Sequence, residues 1–363
     1  MHTPLAPHGI ALLSFAHGHQ GGWARTFQHD PRVAVRCVWD EDAQRGKEAA
    51  ARLGVPFVEK LEHAIERSDV QAVTICSTND MHADLAVAAA RARKHMMVQK
   101  PMATTLADCD RIVEAVEAAG VLYYQSHNLR FDDVHQELKR RVDAGAVGRI
   151  NLVRRRHSHA FALLNPKVLD WMMDAKQAGG GAFMDEGAHA ALWFLWMFGA
   201  PRSVMGMVTT MLTQQQPGIE EAGVLLYRYD SGMIGIHQSS WTELAGPTTI
   251  EIYGDAGTIV VEGTDISSAR SRDPQHPPLR IWRHNAAGPA GDPAATGPAP
   301  GYWEESAAQL PASRLSGTAQ AFIDMLSAGG PSPCGARTAR TAVAMVLAGY
   351  ASAREGREVL VER

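Results

Sequence analysis

Short apolar runs alternate with longer helical periods between Ile10 and Gln125, and this alternation constrains the fold more than any other feature of the sequence. The runs are rich in apolar and β-branched residues, which is typical of parallel strands covered on both faces by helices. The predicted strands are Ile10–Phe15, Val33–Trp39, Val70–Cys76, Met96–Gln99 and Val121–Gln125, with Pro56–Val58 as a short sixth. The pattern predicts an α/β, doubly wound parallel sheet, whose ligand site lies beyond the carboxyl ends of the strands.

The pattern changes after about Arg130, where most apolar runs alternate with polar residues, as in antiparallel strands with one solvated face. The Pro/Gly-rich stretch Gly263–Ser316 predicts a long loop. The predicted strands are Arg149–Ala160, Pro201–Leu212, Ala222–Tyr229, Met233–Trp241, Thr248–Tyr253, Thr258–Glu262 and Glu358–Val361, and the helices are Val134–Ala144, Gly317–Ala328 and Thr338–Arg354. We therefore expect a first domain of residues 1–127 and an α+β second domain of residues 128–363 with a large, mainly antiparallel open sheet. The C-terminal helices can pack back on the first domain.

The composition is that of an ordinary globular protein, since 45% of the 363 residues are apolar and 20% are charged. The 39 acidic residues outnumber the 35 basic ones, which leaves no basic stripe for nucleic acid. The most apolar stretch, Ala188–Ala200, is much shorter than the roughly 20 residues of a spanning helix, and Met1–Gly9 has no signal-peptide pattern. The 4 cysteines are scattered, as expected of free thiols. These features predict a cytoplasmic protein without a nucleic-acid or membrane partner.

The turn after the first predicted strand has some features of a phosphate-binding loop. A dinucleotide fold places glycines here so that the backbone can approach a pyrophosphate at the next helix N-terminus. Gly18 is present, but Ser14, Ala16 and His19 replace glycine if they occupy the three usual positions. The turn is therefore either a dinucleotide loop or an ordinary strand-to-helix connection. In the first case, the cofactor contacts are Phe15, Ala16, His17, Gly18 and His19.

Asp40 ends the second predicted strand, about 20 residues after the loop. A carboxylate at this position accepts hydrogen bonds from the adenosine ribose of NAD, whereas NADP carries a phosphate there. Asp40 therefore favours NAD over NADP. The alternative is that Asp40 caps the helix that begins near Asp42.

Polar residues also follow three later strands, where the fold places its ligand. Lys100 precedes Pro101, which restricts it to an extended backbone at a strand end, where it can polarise a substrate oxygen. We expect contacts to the cofactor from Ser77, Thr78, Asn79, His82, Gln99, Lys100 and Asn128, and a contact to the substrate from Arg130.

The glycine run Gly179–Gly181 leads into an apolar helix that carries Asp185 and His189. These two side chains share one face of the helix because they are four residues apart. An imidazole suits proton transfer near neutral pH, and a nearby carboxylate can orient its ring or the substrate. A lone histidine on an apolar helix is more often a core residue, but Asp185 and the glycine run favour a catalytic role here.

A metal site is the alternative role for the histidines. His157 and His159 alternate on a predicted strand and point the same way, so with Asp185 and His189 they would supply three imidazoles and a carboxylate. Nothing in the sequence brings the two segments together, and a histidine serves a sugar pocket equally well as a hydrogen-bond donor. We therefore predict no metal.

The tryptophans divide into two groups. Trp193, Phe194 and Trp196 crowd one apolar helix and are expected in the core. Trp171, Tyr302 and Trp303 lie in less regular sequence, where they either pack under a loop or stack on a sugar ring.

Taken together, these motifs resemble the Gfo/Idh/MocA family, which includes glucose-fructose oxidoreductase and inositol dehydrogenase. The resemblance covers nearly the whole chain, and its motifs are Thr78-Asn79 with His82, Lys100-Pro101, Asn128-x-Arg130-Phe131, Gly179–Gly181 with Asp185 and His189, and the closing segment Ala351–Gly356. It implies a Rossmann domain, a nicotinamide cofactor, sugar-like substrates, and a dimer or tetramer formed through the second sheet. It also implies that Lys100, Asp185 and His189 form a catalytic trio. The chain departs from the family pattern in its glycine-poor loop and in Gln99, where the family usually has Glu.

The sequence thus predicts an NAD-dependent dehydrogenase acting on a secondary alcohol of a sugar, polyol, inositol or sugar acid. The expected substrate contacts are Lys100, Arg130, His157, Trp171, Asp185 and His189. One alternative is a lyase- or glycosidase-like enzyme that oxidises a sugar transiently and keeps NAD tightly bound. Another is a non-catalytic regulator that binds the cofactor.

Overall fold

The computed structural model describes residues 6–164, 170–210, 218–246, 248–269, 271–284, 301–310 and 313–362. Its first part is a parallel sheet of 5 strands in the order β2-β1-β3-β4-β5. The elements are β1 (His8–Leu13), α1 (His19–His29), β2 (Val33–Trp39), α2 (Ala43–Leu53), α3 (Leu61–Ile65), β3 (Ala72–Ile75), α4 (His82–Arg91), β4 (His95–Val98), α5 (Leu106–Ala119) and β5 (Tyr123–Gln125). The predicted doubly wound sheet is confirmed.

The predicted short strand Pro56–Val58 is wrong. Phe57 makes only an isolated bridge to Val38, and α3 begins a few residues later. A proline opens this run and lacks the N–H that a ladder needs, so the segment pairs too briefly to add a strand.

The second part is a larger open sheet. Its elements are α6 (Asp133–Asp143), β6 (Ile150–Ser158), α7 (Phe161–Leu164), α8 (Ala175–Ala178), α9 (Ala182–Phe198), β7 (Ser203–Thr209), β8 (Ala222–Arg228), β9 (Ile234–Ser240), β10 (Thr248–Gly254), β11 (Gly257–Glu262), α10 (Ile266–Ala269), β12 (Leu279–His284), β13 (Gly301–Glu305), α11 (Arg314–Ala328), α12 (Ala336–Glu355) and β14 (Val359–Leu360). Among the described residues, the sheet has 9 strands in the order β13-β12-β11-β10-β6-β9-β8-β7-β14. Within it, β6 and β9 are parallel and the other neighbours are antiparallel, so the predicted mainly antiparallel sheet is confirmed.

The expectation of a long loop over Gly263–Ser316 is wrong where the structure describes it. This stretch contains α10, the edge strand β13 and its neighbour β12, while residues 270, 285–300 and 311–312 lie outside the described part. Leu279 and Ile281 of β12 are buried and alternate with partly exposed residues, but the strand is short and follows a proline-rich segment. In so short a strand, the alternation of buried and exposed residues is difficult to recognise from the sequence.

Helices α9 and α12 connect the two sheets to each other. Helix α9 packs on β6 and β9 and against α12, which in turn contacts α5 and β7, while α11 packs on α1. The predicted core residues Trp193 and Phe194 are fully buried on α9, and Trp196 is partly buried. All four cysteines are buried and free, as predicted. No described helix has both the length and the apolar character needed to cross a bilayer.

The start of α9 is fixed by a buried carboxylate. Glu220 accepts hydrogen bonds from the backbone N–H groups of Gly181 at 2.8 Å and Phe183 at 2.7 Å, and from the Tyr350 hydroxyl at 2.8 Å. The backbone is so close that a Cβ on Gly181 would lie 1.8 Å from the Glu220 carbonyl oxygen. The glycine run therefore serves this close contact, and Glu220 satisfies two N–H groups that the helix leaves unpaired.

We expect Glu220→Gln to lower the free energy of unfolding by about 1–3 kcal/mol. The glutamine amide nitrogen would place an N–H donor against the buried N–H and O–H groups that now donate to the carboxylate. The measurement is denaturant unfolding, with Glu114→Gln on the exposed face of α5 as the control. Equal stability of the two variants would contradict the capping role.

Candidate active site

The loop between β1 and α1 leaves open space at the start of the helix. Gly18 begins α1 without a side-chain cap, and a Cβ added to Gly18 or Gly21 would meet nothing within 4 Å. Ser14 adopts a φ of 68°, the left-handed conformation that glycine usually supplies at such a turn. Ser14 therefore supplies a backbone conformation that a glycine usually supplies in a dinucleotide turn, although the glycines of this loop stand elsewhere.

Asp40 is 3% exposed at the end of β2, where it faces this loop. Its carboxylate accepts hydrogen bonds from the Phe15 N–H at 2.8 Å, from the Asp42 N–H at 2.9 Å and from the Arg45 guanidinium at 2.6 and 3.0 Å. Helix α2 is capped by the Asp42 side chain. The alternative role of Asp40 as the cap is therefore wrong, and its carboxylate remains directed at the loop.

Gln99 connects the loop to the end of β4. Its Oε1 lies 3.1 Å from His19 Nδ1 and accepts from the Ser126 hydroxyl at 2.9 Å, and its Nε2 lies 3.4 Å from His17 Nε2. Burial lowers the pKa of His19 to about 4, and the nearby Lys100 lowers it further. Burial and the neighbouring His19 also hold the pKa of His17 well below its usual range. The neutral amide of Gln99 thus lies between two neutral imidazoles.

Lys100 and Asp185 form a buried ion pair between the end of β4 and the first turns of α9. Lys100 Nζ also donates to the Asp185 carbonyl at 3.2 Å, while Trp241 Nε1 donates to the carboxylate at 2.9 Å. Burial alone would raise the pKa of Asp185, but Lys100 and His159 outweigh it and hold this pKa well below its usual range. The carboxylate stays ionised and fixes the ammonium group.

His189 is 5% exposed and lies between two other imidazoles, with ring centroids 6.3 Å from His19 and 5.2 Å from His157. Burial and the charge of Lys100 hold the pKa of His189 well below its usual range. Its Nδ1 is buried and has no hydrogen-bond partner among the described residues. The ring is therefore a neutral imidazole beside the ion pair, and the Asp185 carboxylate is occupied by other partners.

A cavity beside the ion pair is lined by His17, Asn79, Trp171 and Trp241. Trp171 Nε1 donates to the Ala16 carbonyl at 3.1 Å, so the indole bridges the dinucleotide loop and this cavity. Trp171, one of the predicted substrate contacts, thus lines the same cavity as Lys100 and Asp185.

The remaining predicted residues are held by contacts with the protein. Asn79 donates to the Ala178 carbonyl at 2.9 Å, His82 Nδ1 lies 2.8 Å from the Pro101 carbonyl, Asn128 accepts from Thr318 at 2.9 Å, and Arg130 lies over the Trp196 ring. Ser77 and Thr78 bond within their own turn. Their roles in binding a cofactor or substrate stay predictions.

Sequence reasoning missed Arg155 and Glu186. Arg155, on β6, donates to His157 Nδ1 at 3.1 Å, and His157 Nε2 lies 3.2 Å from the Glu186 carboxylate. The available signal for Glu186 was a second acidic residue beside Asp185 on an otherwise apolar helix. No comparable signal in the sequence marks Arg155. It lies two residues before His157 on β6, so both side chains are on one side of the strand, but the sequence does not show that they form a hydrogen bond.

Two groups of side chains have the composition of a metal site: His157 with Glu186 and His189, and His159 with Asp185 and Glu186. The Arg155 guanidinium is a donor only, so His157 Nδ1 carries no proton and the neutral ring carries it on Nε2. The Phe161 N–H fixes His159 in the same way at 3.1 Å. Both rings therefore point an N–H group at the carboxylates, which suits hydrogen bonding and disfavours a cation.

Two family models match the chain. One, described as an oxidoreductase family with an NAD-binding Rossmann fold, matches residues 18–127, and the Gfo/Idh/MocA C-terminal domain matches residues 135–260. The chain is 28% identical over 231 residues to myo-inositol 2-dehydrogenase of Thermotoga maritima and 27% identical over 227 residues to 1,5-anhydro-D-fructose reductase of Ensifer adhaerens. Each alignment covers 62% of this chain and 67% of the relative.

Solved structures share the fold over nearly the whole length. Levoglucosan dehydrogenase in complex with NADH and levoglucosan has a TM-score of 0.80 at 21% identity, covering 98% of this chain and 100% of that one. GenD2 from gentamicin A biosynthesis in complex with NAD has a TM-score of 0.80 at 23% identity, covering 100% and 98%. The two family models together span more than half of the sequence, and the chain therefore belongs to the Gfo/Idh/MocA family of NAD-binding oxidoreductases.

Proposed function

We propose that this protein is an NAD-dependent dehydrogenase that acts on a secondary alcohol of a sugar or polyol. The observation that carries the proposal is the buried Lys100–Asp185 ion pair with the neutral His189 imidazole beside it, next to the dinucleotide loop. The names of the relatives support the substrate class, since myo-inositol, 1,5-anhydro-D-fructose and levoglucosan are all polyhydroxylated rings.

The protein's part in the reaction is to hold the alcohol and accept its proton. Lys100 offers its ammonium group to the alcohol oxygen and stabilises negative charge that develops there. His189 accepts the hydroxyl proton, because its lowered pKa leaves the ring unprotonated near neutral pH. Asp185 keeps the Lys100 ammonium in place through their ion pair. In the reverse direction, His189 returns the proton to the ketone oxygen.

The NAD site is formed by the start of α1 and the carboxylate of Asp40. The amides near Gly18 would hold the pyrophosphate, and the Asp40 carboxylate would accept hydrogen bonds from the ribose hydroxyl groups in place of part of its bonding to Arg45. The cofactor would supply the hydride acceptor for the oxidation.

We expect His189→Ala to lower kcat with a sugar or polyol substrate by about 10²–10⁴-fold, the usual contribution of an acid–base group. NAD+ affinity should stay unchanged when it is measured by calorimetry. His63→Ala, on the exposed side of α3, is the matched control. Unchanged turnover in the His189 variant would eliminate the assignment.

We expect Asp40→Asn to weaken NAD+ binding by about tenfold or more, since hydrogen bonds to a charged group contribute about 1.5–3 kcal/mol. NADP+ binding should improve, because the variant loses the carboxylate that repels the 2′-phosphate and frees Arg45 to meet it. Calorimetric titration with each dinucleotide measures both effects, with Glu48→Gln on α2 as the control. An unchanged ratio of the two affinities would contradict the ribose role.

We propose that the open face of the second sheet binds a second copy of this chain. Met205, Met207, Val224, Leu226 and Ile234 point outward from β7, β8 and β9, and Met207 is 77% exposed. Met205 is paired with Leu226 and Met207 with Val224 across β7 and β8, so the side chains form one flat apolar strip. Such a strip fits the same strip of another sheet in an isologous contact.

We therefore expect light scattering after gel filtration to find an oligomer for the native chain and a smaller species for the double variant Met207→Asp with Val224→Asp. The two introduced carboxylates would be buried in an apolar contact without opposite charges, which would destabilise the oligomer. Leu244→Asp, at an exposed leucine outside the strip, should leave the native mass. A native chain that is monomeric at working concentration would rule out this interface.

A further inference from the structure

Glu186 is a largely buried carboxylate that the dehydrogenase reaction does not use. It follows Asp185 on α9 and precedes His189 by three residues, so Glu186 and His189 share a face of the helix. Its side chain is 12% exposed. Burial penalises the charged form of a carboxylate, so a carboxylate at this depth requires stabilising partners or a functional role.

One imidazole directs its N–H group at Glu186. His157 Nε2 lies 3.2 Å from one carboxylate oxygen, whereas His159 Nε2 lies 3.8 Å from the other and is nearer to Asp185, at 3.5 Å. Arg155 fixes the His157 ring from its far side. The carboxylate is therefore positioned by a donor from β6, and His189 is its neighbour on the helix.

The Glu186 carboxylate is also close to the proposed proton acceptor. One ring nitrogen of His189, one of His157 and a Glu186 oxygen all lie within 4.8 Å of one another. Lys100 donates to the carbonyl of Asp185, the residue before Glu186, so the ammonium group contacts the same helical turn. A ketone oxygen bound at Lys100 would thus lie beside the turn of α9 that carries Glu186, and His189 follows three residues later.

The environment of Glu186 also suits proton exchange. Burial raises the pKa of Glu186 to about 7, with the Asp185 charge adding to it and His159 and Lys100 opposing it. The raised pKa moves the titration of Glu186 toward neutral pH, where an acid–base group is most effective.

We propose that Glu186 is a second catalytic acid–base group, which removes and returns the proton on the carbon next to the ketone. This inference rests on the proposed dehydrogenase function, which supplies that ketone. The Glu186 carboxylate takes the proton, the C–H electron pair forms a carbon–carbon double bond, and the carbonyl π pair moves to the oxygen beside Lys100. Return of the proton from Glu186 to carbon restores the ketone.

The consequence is an activity beyond hydride transfer, namely exchange of a carbon-bound hydrogen with solvent. The proton of the Glu186 acid is replaced from water between the two steps. A ring ketone held in the site in D2O therefore gains deuterium at the carbon beside the carbonyl, without net oxidation or reduction.

The test uses 1,5-anhydro-D-fructose and 2-keto-myo-inositol, each incubated with the full chain and NAD+ in D2O, so that the ketone cannot be reduced. Mass spectrometry and proton NMR measure deuterium uptake above the enzyme-free rate. Reduction of the same ketones with NADH is measured in parallel. The variants are Glu186→Gln, which keeps the acceptor for His157, Glu186→Asp, and Glu62→Gln on the exposed side of α3 as control.

We expect Glu186→Gln to lower deuterium uptake by about tenfold or more, and by a larger factor than it lowers reduction, because the amide has no basic oxygen. Glu186→Asp should recover part of the uptake, which a purely structural role would not produce. Uptake that persists in Glu186→Gln, or that is absent from a ketone that the native enzyme reduces, would overturn this inference alone. Reduction of neither ketone would instead contradict the proposed function, and this inference with it.

Discussion

The ion pair between Lys100 and Asp185 is the interaction on which the active site depends, because it joins the two sheets at the point of chemistry. Lys100 follows β4 of the first sheet, and Asp185 lies on α9, which packs on the second. Removing two charges from water is unfavourable unless they pair closely and fill their remaining hydrogen-bond sites. Trp241, His159 and the Asp185 carbonyl fill those sites. The pair is thus stable in one geometry, and that geometry sets where a substrate oxygen can rest.

Burial around this ion pair lowers the pKa of the neighbouring imidazoles and raises the pKa of the neighbouring Glu186. The imidazoles of His19 and His189 lose charge because burial and the Lys100 ammonium both disfavour a cation there. Burial raises the pKa of Glu186, and the neighbouring charge of Asp185 adds to this rise. One fixed ion pair therefore leaves a neutral base and a carboxyl group with a raised pKa within a few ångströms, which is the usual way a site obtains groups for proton transfer.

The parallel sheet and the polar strand ends were predictable because their signals are local. Continuous apolar runs mark the buried strands, and polar residues beyond them mark the ligand edge. Asp40 and Lys100 follow from this logic, and the structure places both at strand ends. Strand β12 was missed since its six residues lie between proline-rich segments. The contacts of Gln99 with His17 and His19 were also beyond the sequence, because they join segments about 80 residues apart.

The sequence by itself determined the alternation of strands and helices in the first sheet, because periodicity records which residues are buried within each segment. The family and the side chains of the proposed catalytic trio followed from the resemblance of its motifs to the Gfo/Idh/MocA family. The tertiary structure decided which segments meet. The parallel pairing of β6 with β9, and the packing of α9 on both, bring Arg155 and His157 to Glu186. Such pairings depend on the hydrogen bonds and packing of distant segments, and no local pattern of residues specifies them.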